Sequence, residues 1–265
     1  MTISHGPYAF GSPFITWAGL FMIAGVLIGG ALFARAMARQ GVERRTAFGI
    51  VLVSVFGGLA GARLLHMLDY ADFYTSAPFH IFYLWAGGYA LWGGVLGGLA
   101  AGLCQAGRQG LARASTAASA AFPGAVGLAV GRLGGVIGGD PPAAASSLPW
   151  AVTYDHPDSV AFAGGAAVHP VALYEMLWDV AIAVGVLRWG RRAPEGALMP
   201  LALAAWAVGR SCIAFVRVDP VTFGLQQAQW VGLMVIAAVV LWAWQSGLWR
   251  RLRAGDGDGP TRRSP

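Results

Sequence analysis

The sequence predicts an all-α polytopic membrane protein with seven transmembrane helices, its N-terminus outside and its C-terminus in the cytoplasm. Composition is the first reason: 57% of the 265 residues are hydrophobic and only 11% are charged, whereas soluble domains carry about a quarter charged residues. The second is a series of apolar stretches of about 20 residues, the length that crosses the hydrocarbon core of a bilayer. The third is the uneven distribution of arginine between the loops.

The apolar stretches account for most of the chain, and no soluble domain fits between them. In chain order we place the spans at 14–34, 46–67, 87–106, 117–138, 170–187, 198–216 and 228–248. We expect one membrane domain over residues 1–250, with 139–169 as a loop on its outer face. The tail 251–265 is polar and basic and is predicted to be disordered. The first residues lack a charged segment and a small-residue cleavage site, so we expect no cleaved signal peptide.

The arginines predict the orientation, because cytoplasmic loops carry the excess of positive charge. All 18 basic residues are arginine, and the loops 68–86 and 139–169 contain none. Fourteen follow the first, third, fifth and seventh spans: Arg35, Arg39, Arg44, Arg45, Arg108, Arg113, Arg188, Arg191, Arg192, Arg250, Arg251, Arg253, Arg262 and Arg263. We attribute the pI of 9.9 to this topology and expect no nucleic-acid partner.

The remaining four arginines share one depth, near the outer ends of three spans: Arg63, Arg132, Arg210 and Arg217. One alternative is snorkelling, in which a long side chain carries its charge to the interface. A site is favoured because Glu175 and Asp179 are four residues apart on the fifth span and share one helical face. Intramembrane ionisable groups usually pair inside the bundle. The excess of positive charge predicts an anionic phospholipid, since guanidinium suits phosphate.

No metal or cofactor site is indicated. Cys104 and Cys212 both fall in apolar spans, where we expect them to be buried as small hydrophobic residues rather than joined in a disulfide. The five histidines fall on the outer side, and no pair has the spacing of a zinc site.

Several short motifs make the chain resemble the prolipoprotein diacylglyceryl transferases of bacterial inner membranes over about residues 13–233. The motifs are PFITWAGLFMIAG, GARLLHML, GGYALWGGVLGG, GRLGGVIGGD, HPVALYEMLWD and GRSCIAFVRVD, followed by Gln229. The resemblance implies an enzyme that moves the diacylglyceryl group of phosphatidylglycerol to a cysteine thiol, with a prolipoprotein signal peptide as second partner.

The resemblance also assigns residues to the site. Arg132, Arg210 and Glu175 match positions that it implies to be catalytic. The arginines expected at the lipid headgroup are Arg63, Arg132, Arg210 and Arg217. The supporting positions are Trp92, Gly93, Gly94, Asp140, His169, Tyr174 and Gln229.

The chain departs from the family pattern at several polar positions. Trp92 stands where the family has histidine or tyrosine; the other departures are Ala18 for tyrosine, Gly135 and Gly138 for asparagine, and Asp140 and Ala214 for glutamate. Thiol activation would then fall to water, to His66 or His169, or to the arginine field, which favours the thiolate. Two alternatives stand beside the transferase: an altered enzyme with another acceptor, and a non-catalytic phospholipid-binding membrane protein.

Overall fold

The structure, a computed structural model, describes residues 1–12, 14–83, 87–161, 164–190, 192–194 and 196–248. The chain is mostly helical in these ranges. They contain eight α-helices: α1 Trp17–Ala38, α2 Arg44–Asp69, α3 Ala71–Ser76, α4 Leu91–Arg108, α5 Arg113–Gly138, α6 Val171–Trp189, α7 Leu198–Ile213 and α8 Gln227–Gln245. Short 3-10 helices cover Ala9–Gly11, Pro78–Phe82 and Ala214–Val216.

Each predicted span overlaps one of the long helices, with ends that differ by a few residues, so the prediction of a mainly helical chain is confirmed. The sequence does not predict α3, because six residues are too few to show a helical period of apolar positions. The predicted disordered tail 251–265 lies outside the described residues.

Two short sheets join the connecting segments. The strands β1 Thr2–Ile3 and β2 Thr153–Tyr154 pair in parallel and tie the N-terminal segment to the 139–169 loop. The strands β3 Val221–Thr222 and β4 Leu225–Gln226 form an antiparallel hairpin directly before α8. These pairings satisfy backbone groups of loops that have no helix of their own.

Within the described residues, five helical segments are long and apolar enough to cross a membrane: Trp17–Ala38, Arg44–Asp69, Arg113–Gly138, Leu198–Val216 and Gln227–Gln245. The other two long helices differ from these in composition. α4 is rich in glycine and ends in Arg108, and α6 carries Glu175, Asp179 and Arg188. These five helical segments support a polytopic membrane protein, but they do not confirm the predicted count of seven spans.

Large apolar side chains cover the outward faces of the long helices, as on Ile23, Leu27 and Phe56. A bilayer would cover these faces, whereas soluble monomers rarely leave such wide patches in water. Cys104 and Cys212 are also exposed, so the prediction that they are buried is wrong. Hydropathy identifies the apolar helix but not the face that the helix turns towards its neighbours.

The long helices pack as neighbouring pairs, α1 with α5, α2 with α4, α5 with α6, and α7 with α8. The backbones of α2 and α4 are in contact. The approach is so close that a Cβ atom on Gly93 would collide with the carbonyl oxygen of Gly61. α1 begins at Thr16, whose hydroxyl accepts a hydrogen bond from the Gly19 amide at 3.0 Å. The first turns of α1, α4, α6 and α8 lie at the same end of the bundle as the last turns of α2, α5 and α7. We call this the site end.

Candidate functional site

Glu175, in the second turn of α6, is the centre of the site. Its side chain is 1% exposed and contacts three guanidinium groups. Arg132 Nη1, from α5, lies 2.7 Å from Glu175 Oε2. Arg217 Nη1 lies 3.1 Å from Oε1, and Arg210 Nη1, from α7, binds the same oxygen. The structure thus brings four predicted site residues into one buried ion-pair cluster.

Two further carboxylates flank this cluster. Asp179 Oδ2 lies 3.8 Å from Arg132 Nε. Asp219 accepts two hydrogen bonds from Arg217, from Nε at 2.5 Å and from Nη2 at 3.2 Å. Burial disfavours the charge on Arg217, but the hydrogen bond to Asp219 and the nearby carboxylates outweigh burial and raise the pKa of Arg217. Arg217 is therefore held as a charged group at the edge of the cluster.

Three guanidinium nitrogens of the cluster make no hydrogen bond with any residue that the structure describes: Arg132 Nε, Arg132 Nη2 and Arg210 Nε. Buried donors normally have a partner, and a donor without one costs about 1–3 kcal/mol. Both arginines line a large cavity. Unused donors beside a cavity indicate an acceptor ligand, and phosphate matches the planar guanidinium group.

The cavity has a volume of about 1230 Å³, above the roughly 300–1,000 Å³ of ordinary small-molecule pockets. Its ionised side chains concentrate at the site end, where Arg132, Arg210 and Arg217 contribute to the wall. The wall then continues along the helices to Phe33 and Ile50. A charged end with a long apolar extension has the polarity of a phospholipid.

Arg63 belongs to a different part of the structure. Its Nη1 donates to the carbonyl oxygens of Gly87 at 2.6 Å and Gly88 at 3.2 Å, and its Nη2 donates to the carbonyl of His80 at 2.5 Å. Arg63 is 7% exposed, and it makes no ion pair to Glu175 within the described part of the chain. These contacts hold the segment between α3 and α4; they do not support the predicted headgroup role of Arg63, which stays a prediction.

Trp92 is 1% exposed and packs edge-to-face on Trp206, with ring centroids 4.4 Å apart. Trp206 is part of the cavity wall, and its ring lies 5.9 Å from the guanidinium carbon of Arg210. Trp92 therefore supports Arg210 through Trp206. Trp206 is not predicted from the sequence, because a tryptophan in an apolar span carries no signal of its own.

The glycines at the site end have two functions. Gly93 allows α4 to touch α2, as described above, and Gly94 lines the cavity. A Cβ atom on Gly135 would collide with the carbonyl oxygen of Asp140, where the chain folds back over the end of α5. Because the backbone fills this space, the asparagine of the family pattern would not fit at Gly135 without a shift.

Asp140 follows the last turn of α5 and lines the cavity. The surrounding walls displace water from its carboxyl and raise its pKa, while the charges of Arg217 and Arg132 act in the opposite direction. Asp140 makes no ion pair within 4.0 Å of either arginine in the described residues. It is thus a carboxyl group at the rim of the cluster.

Tyr174 and His169 lie next to the cluster. The Tyr174 hydroxyl accepts a hydrogen bond from the Trp150 indole at 2.8 Å, and His169 Nδ1 lies 3.4 Å from the same hydroxyl. These contacts fasten the 139–169 loop to the start of α6. No group of three or more metal-ligating side chains occurs in the part of the chain that the structure describes.

Gln229 acts on the cluster from α8. Its Oε1 accepts a hydrogen bond from the Gln226 amide at 2.9 Å, and Gln226 Nε2 donates to the carbonyl oxygen of Arg217 at 3.1 Å. Gln229 thus fixes the start of α8, and Gln226 holds the backbone of Arg217. Gln226 is not predicted from the sequence, because no motif marks it.

Membrane-length helices around an apolar cavity, with unused guanidinium donors at one end, define an integral membrane protein suited to an amphiphilic anion. Residues 7–244 match the family model of the prolipoprotein diacylglyceryl transferases. The chain belongs to this family. Family membership and the membrane-length helices assign the protein to the bacterial inner membrane.

Curated relatives are similar along most of their length. A protein of Nitratidesulfovibrio vulgaris is 30% identical over 99% of this chain and 97% of its own. One of Methylobacillus flagellatus is 33% identical over 87% of this chain and 92% of its own. One of Clostridioides difficile is 27% identical over 85% and 89%. Each is named a phosphatidylglycerol–prolipoprotein diacylglyceryl transferase.

Proposed function

We propose that the protein transfers the diacylglyceryl group of phosphatidylglycerol to a cysteine thiol of a prolipoprotein. The names of the relatives and the polarity of the cavity support this activity. The thiol sulfur attacks the carbon of the diacylglyceryl group that is bonded to the phosphate oxygen. A carbon–sulfur bond forms as the carbon–oxygen bond breaks, and glycerol phosphate leaves with the electron pair.

The observation that carries the proposal is the presence of unused donors on Arg132 and Arg210 beside the cavity. The leaving phosphate gains negative charge as the carbon–oxygen bond breaks. Donors that are fixed beside the developing charge stabilise the transition state without reorganising. Arg132 and Arg210 are therefore the proposed catalytic residues.

Glu175 and Arg217 complete the proposed headgroup site. Both carboxylate oxygens of Glu175 contact guanidinium groups, so this residue orients the arginines rather than accepting a proton. The combined positive field also favours the thiolate form of an incoming cysteine. Neither His66 nor His169 is needed in this account.

The proposal includes the membrane arrangement: one domain over residues 1–250, seven spans, the N-terminus outside and the site end towards the outer leaflet. The 14 arginines on one side support it. The charged helix α6 can span because Glu175 pairs with arginines inside the bundle. Reporter fusions after residues 40, 110, 190 and 255 should all report a cytoplasmic position, and one periplasmic signal among them would contradict the arrangement.

Complementation tests the activity in a bacterium depleted of its own transferase. The wild-type gene should restore lipid-modified lipoproteins, as should the control Arg35→Ala, which changes an exposed residue at the other end of the bundle. Arg132→Ala should not restore them. If the wild-type protein inserts and still gives no modified lipoprotein, the proposal is wrong, and retained lipid binding would favour a non-catalytic phospholipid-binding protein.

A further inference from the structure

Asp179 has a carboxylate oxygen that is not hydrogen-bonded to any of the residues that the structure describes. The residue is 1% exposed and lines the cavity one helical turn after Glu175. Its Oδ2 accepts no hydrogen bond from the described residues, and the nearest guanidinium nitrogen, Arg132 Nε, is 3.8 Å away. This distance exceeds that of a hydrogen bond. Buried carboxylates normally use their acceptor capacity, so this free oxygen needs an explanation.

The other titratable groups of the cavity are engaged or lie at its rim. Glu175, beside the cavity, contacts three arginines. Of the groups that line the cavity, Asp219 accepts two hydrogen bonds from Arg217, Asp69 accepts one from Gln227, and His66 packs on the Tyr70 ring. Asp140 lies at the rim and makes no ion pair within 4.0 Å among the described residues. Asp179 combines a free acceptor with a position next to Arg132. A proton placed there changes the charge beside Arg132, which is proposed to bind the phosphate.

The charge balance of the proposed reaction requires such a change. The bound phosphodiester carries one negative charge, and the released glycerol phosphate gains another when it takes the electron pair. The thiol loses a proton in the same step. If that proton moves to a carboxylate of the arginine cluster, the cluster becomes one charge more positive as the leaving group becomes one charge more negative. The cavity then passes through the step without a change of net charge.

We propose that Asp179 accepts the thiol proton, directly or through one water, as the carbon–sulfur bond forms. The inference rests on the proposed transferase function and names the group that takes the proton. The carbon–oxygen electron pair goes to the phosphate, and the proton on Asp179 later passes to glycerol phosphate or to water. Arg132 links the two events, since its Nε lies 3.8 Å from Asp179 Oδ2 and the residue lines the cavity in which the phosphate is proposed to bind.

The test uses Asp179→Asn, which keeps the size of the side chain but cannot take up the proton. Asp155→Asn, a change at an exposed aspartate of the outer loop, is the matched control. Purified full-length proteins are assayed for thioether formation on a lipobox peptide and for binding of phosphatidylglycerol. Because general base catalysis contributes about 10²–10⁴-fold, Asp179→Asn should slow the reaction by about a hundredfold or more while phosphatidylglycerol binding is retained. Asp155→Asn should match the wild type in both assays.

A pH series separates a proton acceptor from a structural residue. Near the thiol pKa of about 8.5 the peptide supplies thiolate by itself, so the deficit of Asp179→Asn should shrink. A wild-type rate for Asp179→Asn, or a parallel loss of binding and rate at every pH, would overturn the inference and leave the transferase function standing. A wild-type protein that forms no thioether would overturn both. If Asp179→Asn fails to fold, Asp179→Glu must retain thioether formation with an altered pH profile; an inactive but folded Asp179→Glu would contradict the assignment.

Discussion

Arg132 and Glu175 form an ion pair of 2.7 Å between α5 and α6 through Nη1 of the guanidinium, while Nη2 makes no hydrogen bond with the described part of the chain. The same carboxylate binds Arg210 and Arg217. One buried acid thus gathers three arginines from separate segments and holds them against the cavity wall.

Arg132→Lys and Arg210→Lys should each weaken the binding of phosphatidylglycerol although both keep the positive charge. A compact ammonium cannot hold Glu175 and a phosphate with the geometry of a guanidinium group. Hydrogen bonds to charged groups contribute about 1.5–3 kcal/mol, so the expected loss is roughly ten- to hundredfold in Kd. Native mass spectrometry with phosphatidylglycerol measures it, with Arg35→Lys as the control. Equal affinity in wild type and Arg132→Lys would remove Arg132 from the headgroup site.

Glu175→Gln should destabilise the protein as well as abolish activity. Removing one partner from a buried ion pair costs about 3–5 kcal/mol, because the remaining charges stay buried without compensation. Here three guanidiniums would lose their common carboxylate. Thermal unfolding in detergent should show a clearly lower Tm for Glu175→Gln than for the control Asp158→Asn at the loop surface. An unchanged Tm would mean that the arginines do not depend on Glu175.

Trp92→Phe should keep most of the activity, whereas Trp92→Ala should destabilise the protein. Trp92 supports Trp206 by ring packing, and phenylalanine preserves an aromatic contact. Truncation of a buried tryptophan to alanine costs about 3–5 kcal/mol. Unfolding and thioether formation are measured together for both variants. A fully folded Trp92→Phe without activity would show that the indole has a chemical role that its buried position does not suggest.

Arg63→Ala should loosen the segment between α3 and α4, because the variant loses the hydrogen bonds to the carbonyls of Gly87, Gly88 and His80. Limited proteolysis should cut this segment faster than in the wild type, and Arg63→Lys should restore part of the protection. Phosphatidylglycerol binding should fall less than in Arg132→Lys. A larger loss of lipid binding with unchanged proteolysis would instead place Arg63 at the headgroup, as the sequence pattern predicts.

The sequence predicts the helical class and the proximity of Arg132, Arg210 and Glu175 because both follow from repeating physical rules. A charged residue in an apolar span must pair inside the bundle, and the spacing of Glu175 and Asp179 sets a common face. Arg63 lies at the same predicted depth as the other three arginines, but its partners are carbonyl oxygens of a loop. Backbone acceptors leave no mark in a sequence, so the pattern cannot separate Arg63 from the other three.

The substitutions at polar family positions show the same limit. Gly135 is explained by the Asp140 backbone that fills the space of a side chain, and Trp92 is explained by its contact with Trp206. Both explanations depend on how distant segments fold together. Whether Cys104 and Cys212 are buried or exposed depends likewise on which face of the helix meets the lipid. Mean hydropathy does not identify that face.

The most direct test of the central claim is thioether formation by the purified protein on a lipobox peptide with phosphatidylglycerol, followed by mass spectrometry from neutral pH to the pKa of the thiol. We expect diacylglyceryl-modified peptide and glycerol phosphate in equal amounts, a rate that rises with pH as thiolate forms, and no product with Arg132→Ala. Absence of product at every pH from a folded protein that still binds phosphatidylglycerol would contradict the account.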